Sequence, residues 1–168
     1  GLHLGALATD ILLHNSYFVV GHFHLTMAAS ALLGAFAGIY FWFPKMFGRM
    51  MDEKLGKWHF WMSMISFNIT FFPMHFLGLA GMPRRYADYP TQFADFNMVA
   101  SIGALGFGLS QVYFLLFVVL PAYNGKGEKA PMKPWDGAKG LEWTVPSPAP
   151  HHTFETPPNA AELNAAGI

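Results

Sequence analysis

The chain has 168 residues, and its composition is typical of a membrane protein: 53% hydrophobic, 17% aromatic and only 12% charged. Lysine and arginine balance aspartate and glutamate in number, so no net positive charge indicates a nucleic acid as partner. The absence of cysteine excludes disulfides, zinc–thiolate sites and iron–sulfur clusters within this chain.

Three long runs without Asp, Glu, Lys or Arg predict transmembrane helices. A spanning helix needs about 20 mostly apolar residues, and in lipid the backbone must satisfy its own hydrogen bonds, which favours helices. Trp42, Trp58 and Trp61 lie near the ends of these runs, where interfacial aromatic residues are common. We therefore predict an all-α membrane protein with helices over 17–44, 58–83 and 96–122.

The segments between the runs predict an orientation. Segment 45–57 and the Pro- and Gly-rich tail 123–168 carry most of the lysines, so the positive-inside rule makes both cytoplasmic. Segment 84–95 is then an outer-side loop, and 1–16 is an outer-side loop or the end of a preceding helix. The tail is predicted to be extended rather than a packed domain. A start at Gly1, without Met or a signal peptide, suggests a cut inside a longer protein.

Two histidines inside the first run are the strongest candidates for function. Ionisable residues at membrane depth indicate a functional site, and neutral imidazole is a common ligand of haem iron and copper. On an α-helix His22 and His24 point about 200° apart, so each is predicted to hold a different partner, with Phe23 between them. Hydrogen-bonded packing is the alternative for either ring. His151 and His152 in the tail are predicted to be a solvated pair.

Polar residues at the outer side form a second candidate group. Arg84 and Arg85 stand where the charge rule disfavours them, and guanidinium pairs bind carboxylates or phosphates. Snorkelling to lipid headgroups is the alternative. Asp10 and His14 are four residues apart, and with Asn15 they include donors suited to a hard divalent ion, although a solvated loop is favoured by the spacing alone.

Three polar residues in the second run have no assigned role. Asn68, Thr70 and His75 are either packing hydrogen bonds or part of a proton path, and the sequence leaves both open. Pro73 is predicted to kink this helix.

The longer motifs resemble subunit I of the haem–copper oxygen reductases. The resemblance covers about Asp10 to Glu155 and rests on three stretches of sequence. The first resembles the signature of the family's tenth helix, the second the end of its eleventh helix with the following outer loop, and the third the bacterial C-terminal tail. These stretches are HNSYFVVGHFH (14–24) continued by WFPKM (42–46), FFPMHFLGLAGMPRRYADYP (71–90), and residues 142–155.

The resemblance implies a role for each candidate residue. The three helices would be the last three of twelve. His22 would be the axial ligand of the high-spin haem and His24 an axial ligand of the low-spin haem, with Phe23 between the two. Arg84 and Arg85 match the pair that binds haem propionates.

Further cofactor and site assignments follow from the same resemblance. Asp10 matches an acid near a propionate, and His14 with Asn15 matches a Mg²⁺ site near subunit II. The two haems are expected to be of the A type. The ligands of the copper centre lie upstream, outside this chain, so the chain alone is expected to be inactive.

One departure from the family bears on the electron donor. The cytochrome c oxidases usually have His-Asp-Thr where this chain has His14-Asn15-Ser16, and quinol-oxidising relatives have His-Asn-Ser. Asn15 brings no charge, so Mg²⁺ binding is expected to be weakened. The 82–90 stretch matches the cytochrome c branch, so cytochrome c is favoured and quinol is the alternative.

The sequence therefore predicts part of the catalytic subunit of a bacterial terminal oxidase that reduces O₂ to water and pumps protons. Its expected partners are the remainder of subunit I, subunits II and III, cytochrome c and membrane lipid, with the bacterial inner membrane as location. The rival from a different class is a membrane packing or transport module without a redox centre.

Overall fold

A computed structural model describes residues 1–166, so Gly167 and Ile168, at the end of the predicted tail, lie outside the described residues. The described chain is helical and contains two isolated β-bridges but no strand. Three of its helices are long and apolar enough to cross a membrane, which confirms the predicted fold class. These helices are Tyr17–Phe47, Glu53–Leu79 and Thr91–Tyr123, and the shorter helices are Leu2–Gly5, Leu7–Leu13 and Ala160–Ala166.

Each long helix departs from regular α geometry at one place or more. A π-helical turn spans His24–Ala28 in the first, and another spans Phe114–Val119 in the third. The second is broken at Phe72, directly before Pro73, where the sequence predicts a kink. The hydropathy pattern does not predict these π-turns. Such turns occur frequently at functional sites.

The first helix begins at Tyr17 and the third ends at Tyr123, whereas the other four ends differ from the predicted bounds by three to five residues. Local capping explains both ends of the second helix. Asp52 caps the second helix by accepting a 2.9 Å hydrogen bond from Leu55 N, so this helix begins at Glu53 rather than at residue 58. It ends at Leu79 because Gly81 adopts a φ of 88°, and Met82 N then donates to Leu77 O at 2.9 Å. A prediction from hydropathy alone does not take the Asp52 cap or the Gly81 turn into account.

The described chain divides into two compact units. The first comprises Gly1–Gly34 and Lys57–Tyr113, and the second comprises Ala35–Gly56 and the chain from Phe114 onward. In the first unit the buried cluster consists of Leu77, Met82 and Phe93, with Tyr17 packed against it.

The helices of the first unit approach one another closely at glycines. A Cβ on Gly103 would lie 2.6 Å from Thr70 N, so only glycine fits at this contact between the second and third helices. Nearby, Ser63 and Ser110 hydroxyls are 2.9 Å apart and Gln111 Nε2 donates to both. Close backbone approach and buried hydroxyls are the usual means of helix association in membranes.

In the second unit the tail has little regular structure, but it is not loosely attached. Ala138, Trp143 and Val145 are buried, and the only helical elements beyond Tyr123 in the described chain are the 3₁₀ turn Leu141–Thr144 and the helix Ala160–Ala166. The sequence gives no hydrophobic periodicity here, because the segment is fixed by contacts with residues far away in the chain.

Much of the apolar surface of the long helices is exposed. Met27, Leu105 and Leu109 are each about 70% exposed. Large apolar side chains in contact with water would be unfavourable. This exposure is what lipid, or further protein packed around these helices, would cover.

Candidate functional site

The segment that carries the histidine pair begins at a capped helix start. Ser16 is buried, and its hydroxyl accepts a hydrogen bond of 3.2 Å from Phe18 N and donates one of 2.7 Å to Leu13 O. Gly21 lies five residues after Ser16, and a Cβ at this position would lie 2.9 Å from the ring of His75. Glycine at this position lets the two helices approach directly beside His22.

His24 is held in one ring orientation and one tautomer. Its Nδ1 lies 2.8 Å from the carbonyl oxygen of Val20, and its ring stacks on Phe71 at 4.2 Å and 9°. Because a carbonyl oxygen only accepts, Nδ1 carries the proton and Nε2 keeps its lone pair. A backbone carbonyl that fixes the second nitrogen in this way is the usual support of a metal-binding histidine. His24 therefore fits a haem ligand.

His22 has different neighbours from His24. Its Nδ1 lies 3.4 Å from the backbone nitrogen of Gly1, and its carbonyl accepts a 3.0 Å hydrogen bond from the Thr26 hydroxyl. The ring of Phe23 is tilted against His24 with centroids 4.4 Å apart. The α-helical step behind the opposite-face prediction applies up to Phe23, and a π-turn begins at His24. The assignment of the two rings to two partners stays a prediction.

The loop of the arginine pair is joined to the chain just before the histidine helix. Arg84 N donates to Asn15 O at 2.9 Å, Tyr17 N donates to Met82 O at 3.0 Å, and Ser16 and Pro83 form an isolated antiparallel bridge. These bonds lie between positions almost seventy residues apart in the chain. The structure thus brings two candidate groups together, the arginines and the His14–Asn15 segment.

Each arginine has an unusual structural feature. Within the described chain, Arg84 Nε is buried and has no hydrogen-bond partner, which is costly for a charged donor. Arg85 has a φ of 67°, a left-handed conformation that is strained for a residue with a side chain and is concentrated at ligand sites. A carboxylate such as a haem propionate would satisfy the buried donor.

The His14–Asn15 segment is only partly organised as a metal site. His14 Nδ1 lies 2.8 Å from the carbonyl oxygen of Asp10, which leaves Nε2 with its lone pair, and both His14 and Asn15 are exposed. Asp10 thus contacts His14 through its main chain. No group of three or more His, Cys, Asp or Glu among residues 1–166 is placed to hold a metal ion.

The polar residues of the second helix make local hydrogen bonds. Asn68 Nδ2 donates to Met64 O and Thr70 Oγ1 to Ser66 O, each at 2.8 Å, while His75 Nδ1 lies 3.1 Å from Phe72 O. Each bond stays within the helix of its own residue. The bond from His24 to Val20 O is equally local, so both roles that the sequence left open stay predictions.

Several residues that build the site were missed from the sequence. Phe71 stacks on His24, and Met82 and Ser16 join the two outer segments. A Cβ on Gly78 would lie 2.5 Å from Phe18 Cβ, so the helix over Pro73–Leu79 packs directly on the histidine helix. The Ser16 cap has a sequence signal in its position before an apolar run. The contacts of Phe71 and Gly78 have none.

The fold and the site define a class: a helical protein of membrane-spanning length with a histidine whose Nε2 is available to a metal, and with a guanidinium nitrogen that is buried and unpaired in the described chain. Residues 1–106 match the protein family described as "Cytochrome C and Quinol oxidase polypeptide I". That match covers more than half of the chain, and the chain belongs to this family.

Individual relatives are similar over nearly the whole chain. The chain is 46% identical to cytochrome c oxidase subunit 1 of Cereibacter sphaeroides. This alignment extends over 169 residues and covers 99% of the chain. The subunit of the same name from Thermostichus vulcanus is 45% identical over 94% of the chain, and that from Bacillus sp. (strain PS3) is 42% identical over 98%. The chain spans only 27–29% of the length of these relatives. The predicted family is confirmed, and the chain corresponds to part of such a subunit.

Proposed function

We propose that this chain is the C-terminal part of the catalytic subunit of a terminal respiratory oxidase, and that it supplies one axial histidine to each of two haems. The family as a whole implies haem and copper. The observation that carries the proposal is the His24 ring, whose Nδ1 proton is donated to Val20 O and whose Nε2 lone pair is thereby reserved for a ligand. Stacking on Phe71 fixes the plane of that ring.

His22 is assigned to the high-spin haem and His24 to the low-spin haem. The two rings have different neighbours, which supports binding to different partners: His24 stacks on Phe71, whereas His22 Nδ1 lies 3.4 Å from Gly1 N. Phe23 lies between them in sequence and packs against His24. Its apolar ring would keep water out of the space between the two ligands.

Arg84 and Arg85 are assigned to the haem propionates. The buried Nε of Arg84 and the strained backbone of Arg85 support this, because a carboxylate would satisfy the first and would offset the cost of the second. Asp10, three residues after the start of the helix Leu7–Leu13, is assigned to the same region with less structural support. These residues bind and orient charge, and they take no part in bond making.

His14 and Asn15 are assigned to a Mg²⁺ site. The support is the free Nε2 of His14 together with the amide oxygen available on Asn15. A neutral amide contributes less to cation binding than a carboxylate does, so a weak site is expected. Arg84 N binds Asn15 O, which places the site next to the propionate-binding loop.

When bound, two haems of the A type and a copper ion held by residues outside this chain would supply the electron-transfer and oxygen-reduction chemistry. The residues of this chain hold the ligand nitrogens in place, neutralise carboxylates and exclude water from the ligand faces. Reduction of O₂ to water with proton pumping belongs to the complete subunit in its complex.

Cytochrome c is the proposed electron donor. Three relatives at 42–46% identity carry the name cytochrome c oxidase subunit 1. Asn15 in place of the usual carboxylate is the feature that keeps quinol as the alternative. Oxidation rates of reduced cytochrome c and of a quinol by the purified complex distinguish the donors, as does a Cys-rich copper site in the partner subunit.

The remaining proposals concern location and partners. Lysines in 45–57 and after residue 125 support a bacterial inner membrane with a cytoplasmic tail. The remainder of subunit I, subunits II and III and lipid are the proposed partners, and the exposed apolar surface of the long helices supports such coverage. Reporter fusions after residue 149 test the orientation.

The haem assignment is tested by optical spectra of the purified full-length complex. His24→Ala should abolish the low-spin haem absorption, and His22→Ala should abolish carbon monoxide binding at the high-spin haem. His151→Ala, an exposed histidine of the tail, is the matched control and should leave both signals unchanged.

Two results would contradict the proposal in different ways. A purified complex without haem absorbance would favour the packing or transport module. Haem spectra unchanged in His24→Ala would remove its role as a ligand, and loss of the same haem in both variants would refute the division of the two histidines.

A further inference from the structure

Lys45 is a lysine held almost entirely out of solvent by main-chain oxygens. It is only 5% exposed, although it follows the predicted end of an apolar run. Its Nζ donates to Val145 O at 2.7 Å, to Met132 O at 3.0 Å and to Pro146 O at 3.4 Å. An ammonium group has three donors, so all of them are directed to acceptors. These acceptors lie in the tail, about ninety to one hundred residues further along the chain.

An aromatic side chain completes the enclosure of this ammonium group. Nζ lies 5.4 Å from the ring centroid of Trp143, within the range of a cation–π interaction. Trp143 is itself only 3% exposed, and Phe41 packs against it edge to face at 5.0 Å. The positive charge is therefore kept from water by the tail and by the helix that carries Lys45.

Main-chain hydrogen bonds also join the same segment of the tail to residues 45–50. Met50 N donates to Glu128 O at 2.8 Å, and Ala130 N donates to Gly48 O at 3.0 Å. At the other end, Ala149 N donates to the carbonyl of Lys45 itself at 3.2 Å. The tail partners in these bonds lie within residues 126–149, which we call the strap.

Two side chains add to the attachment of the strap. Arg49 Nη1 donates to Gly127 O at 3.0 Å, and Trp135 Nε1 donates to Phe41 O at 2.9 Å. A Cβ at Gly127 would overlap the carbonyl oxygen of Met50, so the strap contacts the chain directly at this point. All of these hydrogen-bond acceptors are main-chain carbonyls, which every residue type carries, so the sequence of the tail showed no packing signal.

We propose that the strap is a conformational device closed by the charge of Lys45. With the ammonium in place, three carbonyls and one indole ring surround a single cation, and residues 126–149 are held on the chain around Phe41–Met50. A neutral side chain offers fewer N–H donors to these three acceptors, or none, so at least one buried carbonyl lacks a donor and the open form becomes more favourable.

Hydrogen–deuterium exchange in the full-length subunit, within its assembled complex, tests the proposal. Lys45→Met keeps the length of the side chain and removes its charge. Exchange in peptides covering residues 126–149 should become about tenfold faster, because the loss of hydrogen bonds to a charged group is an effect of this order. Lys54→Met, at an exposed lysine of the same unit, is the matched control and should leave the exchange unchanged.

A second variant and a labelling measurement decide the question if Lys45→Met does not assemble. Trp143→Ala removes the aromatic wall from within the strap and should raise exchange in the same peptides. In the unmodified protein an amine-reactive reagent should label Lys54 much faster than Lys45. Unchanged exchange in Lys45→Met, or in Trp143→Ala where Lys45→Met fails to assemble, would overturn the proposal. Equal labelling of Lys45 and Lys54 would do the same.

Discussion

Replacing Gly78 by alanine should displace the histidine helix. The added Cβ would lie 2.5 Å from Phe18 Cβ and 2.6 Å from Phe18 Cα. Carbon atoms in contact prefer about 3.5–4.0 Å, so the methyl group overlaps its neighbours by about 1 Å. These neighbours are backbone and Cβ atoms, which no rotamer change can move. The two helices must therefore separate.

The magnitude follows from the size of this overlap. Overpacking costs about 1–3 kcal/mol, and we expect the upper end because backbone must move. A displacement of about 1 Å at a catalytic group can lower activity about a hundredfold. We expect a shifted absorption of both haems and an oxidase rate reduced by at least tenfold, measured by spectra and oxygen consumption of the full-length complex.

The control is Gly108→Ala, at a helical glycine whose added Cβ would meet nothing within 4 Å. Alanine is the better helix former there, so this variant should be neutral or stabilising. If Gly78→Ala and Gly108→Ala gave the same spectra and rates, the close helix contact would not position the ligands. The argument from Gly78 to the histidines would then fail.

Three further predictions concern single polar groups. Arg84→Gln should lower the midpoint potential of a haem by on the order of 40 mV if about 1 kcal/mol of charge interaction is lost, and a redox titration without a shift would contradict the propionate assignment. Asn15→Asp should tighten Mn²⁺ binding, measured by electron paramagnetic resonance, by about tenfold because it adds a charge beside His14. Ser63→Ala and Ser110→Ala should show a coupling energy of about 0.6–1.7 kcal/mol in a double-mutant cycle of unfolding. The reason is that the two serine hydroxyls are buried and 2.9 Å apart. A coupling energy of zero would refute a stabilising hydrogen bond between them.

More of the fold than of the candidate site could be predicted from the sequence. Apolar runs of sufficient length have few alternatives to a helix in lipid, so the three helices follow from composition. Their ends depend on local caps such as Asp52 and Gly81, which have signals in the sequence that hydropathy does not weigh. The π-turn at His24–Ala28 had no such signal.

The candidate residues at the site could be named from their chemistry, but their partners could not. Histidine at membrane depth, and an arginine pair on the side where the charge rule disfavours it, indicate function. The stacking of His24 on Phe71, and the bond between Arg84 N and Asn15 O, join residues that are distant in sequence. The tautomer of His24 could be predicted in part, because Val20 lies four residues earlier and its carbonyl is therefore within reach on the same helix.

The sequence by itself determined three membrane-length helices and a pair of ligand-type histidines near the start of the first, because the cost of burying polar backbone and charge leaves little choice of structure. The tertiary structure alone decided that Arg84 N binds Asn15 O, that Arg84 Nε is buried and that Lys45 is enclosed by carbonyls of the tail. Main-chain oxygens occur at every position, so no residue type marks those that will bind a lysine about one hundred residues away. Only the folded path of the chain selects them.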